Sequence, residues 1–227
     1  MEVAKRRGEA DRVLSREEAR AFYDRFGRKQ DLQRIYEDPA IELLLQYAGF
    51  ETACAVVELG CGTGRLAARL LEELLPDDSK YLGLDISRTM IDLAQSRVAP
   101  WAERARVERT DGSLTLPVSD GAYDRFLSTY VLDLLSEEDI HAAVREARRV
   151  LAPGGRLCLA SLTFGETFSS RLACRAWTAI HSLSPRLVGG CRPLRLEAFI
   201  GSDWQILHRE IVCVLGICTE VLTARRV

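Results

Sequence analysis

The stretch VVELGCGTGRLAARL, residues 56–70, sets Gly60, Gly62 and Gly64 just after an acid, Glu58. Glycine at that density gives up backbone entropy, so the loop must need conformations or close approaches that a side chain forbids. Between a strand and a helix, such a loop turns backbone N–H groups and a helix N-terminus toward a ligand. Two phosphate-binding patterns use this arrangement, and neither fits. The dinucleotide fingerprint GxGxxG needs its third glycine where Arg65 stands. The nucleotide-triphosphate loop needs a closing GKS or GKT, and the lysine is missing. A carboxylate at Glu58 would repel a pyrophosphate and suit an ammonium group, which points to a ligand carrying positive charge.

Three further segments deliver polar residues toward one sheet edge. YLGLDIS places Asp85 about twenty residues beyond the glycines, the spacing at which a carboxylate meets ribose hydroxyls. ERTDGSLTLP supplies Asp111 and Gly112, and the run ending FLSTY supplies Ser128, Thr129 and Tyr130.

The elements that must carry these residues alternate in type. Residues 11–30 read as a charged amphipathic helix, with Ser15 and Glu18 spaced as a capping box. A second helix is expected from about residue 39 to 48, with Pro39 in its first turn. ACAVVEL, KYLGLD, RARVERT, YDRFLSTYVL and RLCLASL read as strands. GRLAARLLEELL, SRTMIDLAQSRV capped by Ser87, and SEEDIHAAVREARRVL capped by Ser136 read as helices, the last closed by PGG. The alternation predicts an α/β fold with a doubly wound, mostly parallel sheet. WQILHREIVCVLG and ICTEVLTARRV read as an antiparallel hairpin joined at Gly216.

The expected organisation is a helical arm over residues 1–50 and a core over 51–227. An insertion at about 163–203 interrupts the core. Within it Phe168, Leu172, Ala176, Ile180 and Leu183 recur at helical spacing with Trp177 beside them. The insertion is expected over the carboxyl ends of the strands, where open α/β sheets bind ligands.

Composition narrows the class. The chain has 227 residues, 47% hydrophobic and 28% charged, enough for one generous core. A net charge of -2 lacks the basic surplus of a nucleic-acid binder. No apolar run reaches the about 18 residues of a membrane span. The basic N-terminus has no apolar stretch behind it, which argues against a secretory signal. Seven cysteines stand singly with no CxxC pair, so the expectation is reduced thiols in the cytoplasm, without disulfides or a metal site.

ELGCGTGRLA, YLGLDIS, TDGSLTLPVSDGAYDRFLSTYVLDLL and RVLAPGGRLCLAS together resemble class I S-adenosylmethionine-dependent methyltransferases. Among these they are most similar to the quinone and small-molecule type. The resemblance covers roughly residues 20–162 and, loosely, the last two strands. It implies a seven-stranded sheet with an antiparallel last strand, and S-adenosyl-L-methionine as cofactor with S-adenosyl-L-homocysteine as product. Glu58, Gly60 and Gly62 would hold the methionine end, with Cys61 in the same loop. Asp85 would bind the ribose hydroxyls, Ile86 would pack on the adenine, and Asp111 would bond its amino group with Gly112 beside it. Ser128 joins this set at the end of the fourth strand, and Tyr23 in FYDRF matches an aromatic that covers the cofactor.

For the transfer itself, Tyr23 and Tyr130 are candidates to line the reacting end. A proton acceptor is needed only if the nucleophile must lose a proton. His181 in the insertion and Asp133 are the candidates, each against a structural reading. His141 reads as a solvated surface residue and His208 as structural. By the same resemblance, STYVLD in place of NPPY or DPPY disfavours adenine or glutamine methylation, and a small or lipid-like acceptor is expected. The insertion, with Arg171, Arg175 and Arg186 beside its apolar stripe, is read either as a lid or as a peripheral membrane contact. The competing reading is a protein that binds the cofactor without catalysis. A nicotinamide oxidoreductase is disfavoured by Arg65.

Overall fold

Ser15 opens the first helix. Its hydroxyl accepts the Glu18 N–H at 3.2 Å while Glu18 accepts the Ser15 N–H at 2.9 Å, a reciprocal capping box. The computed structural model describes residues 13–227, so the first two residues of the expected helix lie outside it. Helix α1 spans Arg16–Phe26 and yields to a 3-10 turn over Gly27–Gln33. Helix α2, Arg34–Ala48, begins earlier than expected, and Pro39 sits inside it. Proline there withholds the one amide that would have bonded Ile35, and its exposed ring leaves the helix intact.

The alternation then proceeds through β1 (Ala55–Leu59), α3 (Arg65–Arg69, continued by a π turn), β2 (Lys80–Asp85), α4 (Arg88–Val98) and β3 (Ala105–Arg109). It continues with β4 (Tyr123–Thr129), α5 (Glu137–Val150), β5 (Leu151–Thr163), α6 (Phe168–Leu183), β6 (Trp204–Val214) and β7 (Ile217–Arg226). Ser87 and Ser136 cap α4 and α5 as their positions suggest, each accepting a backbone N–H. The PGG segment does not end α5. Leu151 pairs with Tyr123 and Arg156 with Arg125, so residues 152–155 bulge out of β5.

Seven strands form one sheet in the order β3-β2-β1-β4-β5-β7-β6. All pairings are parallel except those of β7 with β5 and β6. Both faces are covered, which is why the parallel strands read as nearly continuous apolar runs. Val56, Leu127, Cys158 and Val221 face Leu44, Leu70 and Ile91 on one side. Val57, Leu84, Phe126 and Leu159 face Ile140 and Ala147 on the other. Truncating a fully buried residue such as Phe126 to alanine would cost about 3–5 kcal/mol.

One expectation fails. The hairpin register sets Cys213 opposite Cys218, with Cα atoms 4.1 Å apart, and their sulfurs are bonded. An odd cysteine count concealed a pair that only the register brings together. On α6, Leu172, Ile180 and Leu183 of the apolar stripe face outward, Leu172 60% and Leu183 80% exposed, while the Phe168 side chain lies outside the described residues. At about 100° per residue, the side that packs inward carries Ser170, Cys174, Trp177 and His181. Among the described residues no helix is long and apolar enough to cross a membrane.

Candidate active site

The chain winds outward from β1 through β2 to β3 on one side, and from β4 through β5 on the other. Between β1 and β4 the winding reverses, opening a crevice at their carboxyl ends where such sheets take ligands. A cavity of about 150 Å³ lies there. Gly60 and Gly62 after β1, Asp85 and Ile86 after β2, Gly112 after β3, and Thr129 and Tyr130 after β4 form its wall. Leu14, Ala19, Tyr23 and Gln30 of the N-terminal arm also line it. Small-molecule pockets usually measure roughly 300–1,000 Å³, so this cavity is tight under its cover.

The glycine loop is fixed by its own amides. Gly60 and Cys61 both donate to Leu84 O, at 2.7 and 3.0 Å. Gly60 has φ 77°, and a Cβ there would overlap the Val131 side chain. Gly64, φ 75°, lets α4 approach: a Cβ would stand 2.8 Å from the Ala94 Cα. Part of the glycine density therefore serves packing of the protein on itself.

Asp85 is the best-oriented acid on the wall. Its Oδ2 accepts the Gly62 N–H at 3.0 Å and its Oδ1 the Ser87 N–H at 2.8 Å. Burial raises its pKa, with these backbone hydrogen bonds opposing the rise. Each oxygen keeps a further lone pair, so the group can accept from two adjacent hydroxyls.

Tyr130 adopts φ 56°, a left-handed conformation uncommon for an aromatic residue. Its N–H donates to Ala160 O at 2.8 Å, and its hydroxyl lies 3.0 Å from Thr219 Oγ1. The Tyr36 ring meets it edge-on, centroids 6.4 Å apart. The Tyr23 hydroxyl donates to Gly189 O at 3.5 Å, joining the arm to the insertion.

Ion pairs and hydrogen bonds tie the arm to the core. Asp24 accepts the Ser87 hydroxyl at 2.6 Å, Asp31 accepts the Thr63 hydroxyl at 2.7 Å, and Arg97 pairs with Asp31. Arg65 lies 2.6 Å from Asp38. Burial works against the Asp31 carboxylate, but Arg97 and Thr63 outweigh it and hold its pKa down.

Other expected residues lie off the wall. Glu58 is buried behind the loop and accepts the Tyr81 hydroxyl. Burial pushes its pKa up to about 7, against the Tyr81 hydrogen bond and with help from Asp85. Cys61 is buried against Gly83, and the Ser128 hydroxyl donates to Leu59 O at 3.0 Å. Asp111 is exposed and accepts the Ser113 N–H at 2.8 Å. His181 is buried on α6 beside the Gly190 backbone, and burial lowers its pKa. His141 is exposed beside Phe199, and His208 stacks on Tyr47.

Asp133 neither caps a helix, since Ser136 caps α5, nor meets solvent, being fully buried. Leu162 N–H donates to its Oδ2 at 3.4 Å, while Oδ1 has no partner among the described residues. Burial pushes its pKa up to about 7. Sequence reasoning missed Gln30, Val131 and Leu134 on the wall and the Asp24 and Asp31 ties. Asp24, following Tyr23 in FYDRF, and Val131 and Leu134, in STYVLDLL, stood in segments already marked.

Comparison with known proteins agrees with this geometry. Residues 56–155 match a family described as a methyltransferase domain. The demethylmenaquinone methyltransferase of Lactococcus lactis is 32% identical over 107 residues, 47% of this chain and 41% of its own length. The chain thus spans less than half of that relative. Among solved structures, the cyclase SpnF superposes with TM-score 0.67 at 18% identity, over 94% of this chain and 97% of its own. A geranyl diphosphate C-methyltransferase from Streptomyces coelicolor, solved with S-adenosyl-L-homocysteine, gives TM-score 0.62 at 15% identity, over 84% and 76%. These two likenesses are of fold, and a fold hosts more than one chemistry. Over residues 56–155 the chain thus carries the pattern of a methyltransferase domain on a fold shared with solved methyltransferases.

Proposed function

We propose that the protein transfers a methyl group from S-adenosylmethionine to a small or lipid-like acceptor. The observation that carries the reading is Asp85, a buried carboxylate oriented by two backbone amides with lone pairs left for a ribose diol. The residues present suit a nucleoside carrying an aminoacyl sulfonium. Gly60 and Gly62 offer a wall without side chains, Ile86 an apolar surface for a base, and Gly112 room beside it. Glu58 sits behind the loop, and a nearby ammonium would favour its carboxylate form.

Bound there, the cofactor supplies a methyl carbon activated by its sulfonium. The protein's share is alignment and exclusion of water. Tyr23 and Tyr130 line the cavity, and a tyrosine face favours an adjacent cation by about 0.5–2 kcal/mol. Where the acceptor must release a proton, Asp133 and His181 are the expected groups, and both lie off the cavity wall, Asp133 fully buried. His181, off the wall, serves the insertion's packing in this reading. In this reading the arm over residues 13–50 covers the cofactor and moves as it enters.

The acceptor class remains the small or lipid-like one, with the protein in the cytoplasm. The outward stripe of Leu172, Ile180, Leu183 and Leu187, flanked by Arg186, supports peripheral contact with an anionic membrane. Calorimetric titration with S-adenosylmethionine and S-adenosylhomocysteine tests the reading first, and absence of binding to both would overturn it. Product formation across amines, phenols, thiols and phospholipids then separates a methyltransferase from a cofactor-binding protein without turnover.

A further inference from the structure

A cleft of about 1000 Å³ lies apart from the cofactor cavity, between α6, the turn at residues 164–166 and the edge strand β6. Four arginines and one acid, Glu166, line it. Arg171 and Arg175 stand one turn apart on α6. Arg195 enters from the segment before the 3-10 turn Leu196–Phe199, and Arg209 from β6. Arg209 is already matched: its Nε lies 2.7 Å from Glu220 and 3.3 Å from Glu197. The guanidinium groups of Arg171, Arg175 and Arg195 have no ion pair or hydrogen bond among the described residues.

Three unmatched like charges around one concavity repel each other unless an anion joins them. A carboxylate is satisfied by one guanidinium fork, whereas several forks match the charge and oxygen count of a phosphate or diphosphate. The position also fits an acceptor that reaches the cofactor cavity. Strand β5 overhangs β4: Thr129 pairs with Ala160, and Thr163, three residues on, lines the cleft. At about 3.3 Å per residue, the cleft begins roughly 10 Å along the sheet edge from the Tyr130 wall.

We propose that this cleft holds a phosphate or diphosphate group of the methyl acceptor, through Arg171, Arg175 and Arg195. That the anion belongs to the acceptor rests on the methyl-transfer reading; that the cleft takes such an anion does not.

Calorimetry at low salt with inorganic pyrophosphate, on the full chain, tests it. The wild type should bind, and Arg171→Ala with Arg195→Ala should weaken binding at least about tenfold, with Arg175→Glu weakening it further. All three side chains are exposed, and circular dichroism checks that each variant is folded. S-adenosylmethionine affinity, measured on the same samples, should not change. If pyrophosphate does not bind the wild type, or binds the variants equally, the proposal is overturned. If S-adenosylmethionine fails to bind while arginine-dependent pyrophosphate binding persists, the methyl-transfer reading falls and the anion site stands.

Vesicles of phosphatidylcholine with and without phosphatidylglycerol distinguish the source of the phosphate. Phosphatidylglycerol-dependent binding that the arginine variants lose and pyrophosphate displaces assigns it to a lipid headgroup. Pyrophosphate binding with indifference to vesicles assigns it to a soluble acceptor. Vesicle binding that survives the substitutions, with no pyrophosphate binding, overturns the proposal.

Discussion

Asp85→Asn isolates the group on which the cofactor reading depends. In the folded chain the two carboxylate oxygens accept from Gly62 N–H and Ser87 N–H at 3.0 and 2.8 Å. An amide can present an oxygen to only one of these donors, and its NH₂ then faces the other, donor against donor. The protein loses a charge-assisted hydrogen bond but is relieved of a buried charge whose pKa burial raises. These effects oppose, so stability should change by no more than about 1 kcal/mol. The ligand has no such relief. Two hydroxyls that donated to a charged carboxylate meet a half-engaged amide, and hydrogen bonds to charged groups are worth about 1.5–3 kcal/mol each. A net loss of about 3 kcal/mol is about two orders of magnitude in Kd. Calorimetric titration with S-adenosylmethionine and S-adenosylhomocysteine measures it, with thermal unfolding as the check on folding. The pH dependence supplies a second reading: as pH falls through the raised pKa of Asp85, wild-type affinity should fall, and the variant should lack that decline. A variant Kd within about threefold of wild type, with unchanged Tm, would refute the assignment of Asp85 to the ribose.

Two more outcomes follow from the buried carboxyls and the arm. Glu58, with its pKa near 7 against about 4.3 unfolded, favours folding fully below about pH 4, and that contribution is lost as pH rises through about 7. The cofactor-free protein should therefore lose stability between about pH 4 and 7. Glu58→Gln, whose amide oxygen can still accept from Tyr81, should flatten the Tm–pH curve and leave the share owed to Asp133; an unchanged slope would count against this origin. Asp31→Ala removes the tie to Thr63 and Arg97. It should speed proteolysis in the Gly27–Gln33 turn and raise both on- and off-rates of S-adenosylmethionine severalfold, whereas unaltered rates would mean that the arm does not gate entry.

Much of the fold is carried by local pattern. KYLGLD becomes β2 with the same limits, and Ser15, Ser87 and Ser136 cap the helices they precede. Period, caps and β-branched runs act over a few residues, so adjacent sequence reports them. The alternation also fixes the sheet class, because parallel strands need crossover helices. Asp85, Gly60 and Gly62 were legible as neighbours at one sheet edge for the same reason, since strand ends in such a sheet converge. What escaped depends on partners distant along the chain. Val131 against Gly60, Gln30 against Gly62 and Asp31 against Thr63 are choices of tertiary packing. Cys213 and Cys218 became partners through hairpin register. The stripe on α6 was correctly periodic, yet periodicity names a face without saying what covers it. The protein packed the face bearing Trp177 and His181 and left the leucines outside. The sequence by itself thus determined the elements, the sheet and the acid and glycines at its edge, through short-range physics. Only the tertiary structure decided which side of the insertion faces the domain, and that three arginines far apart in kind of segment share one cleft, because those outcomes turn on contacts between residues remote in the chain.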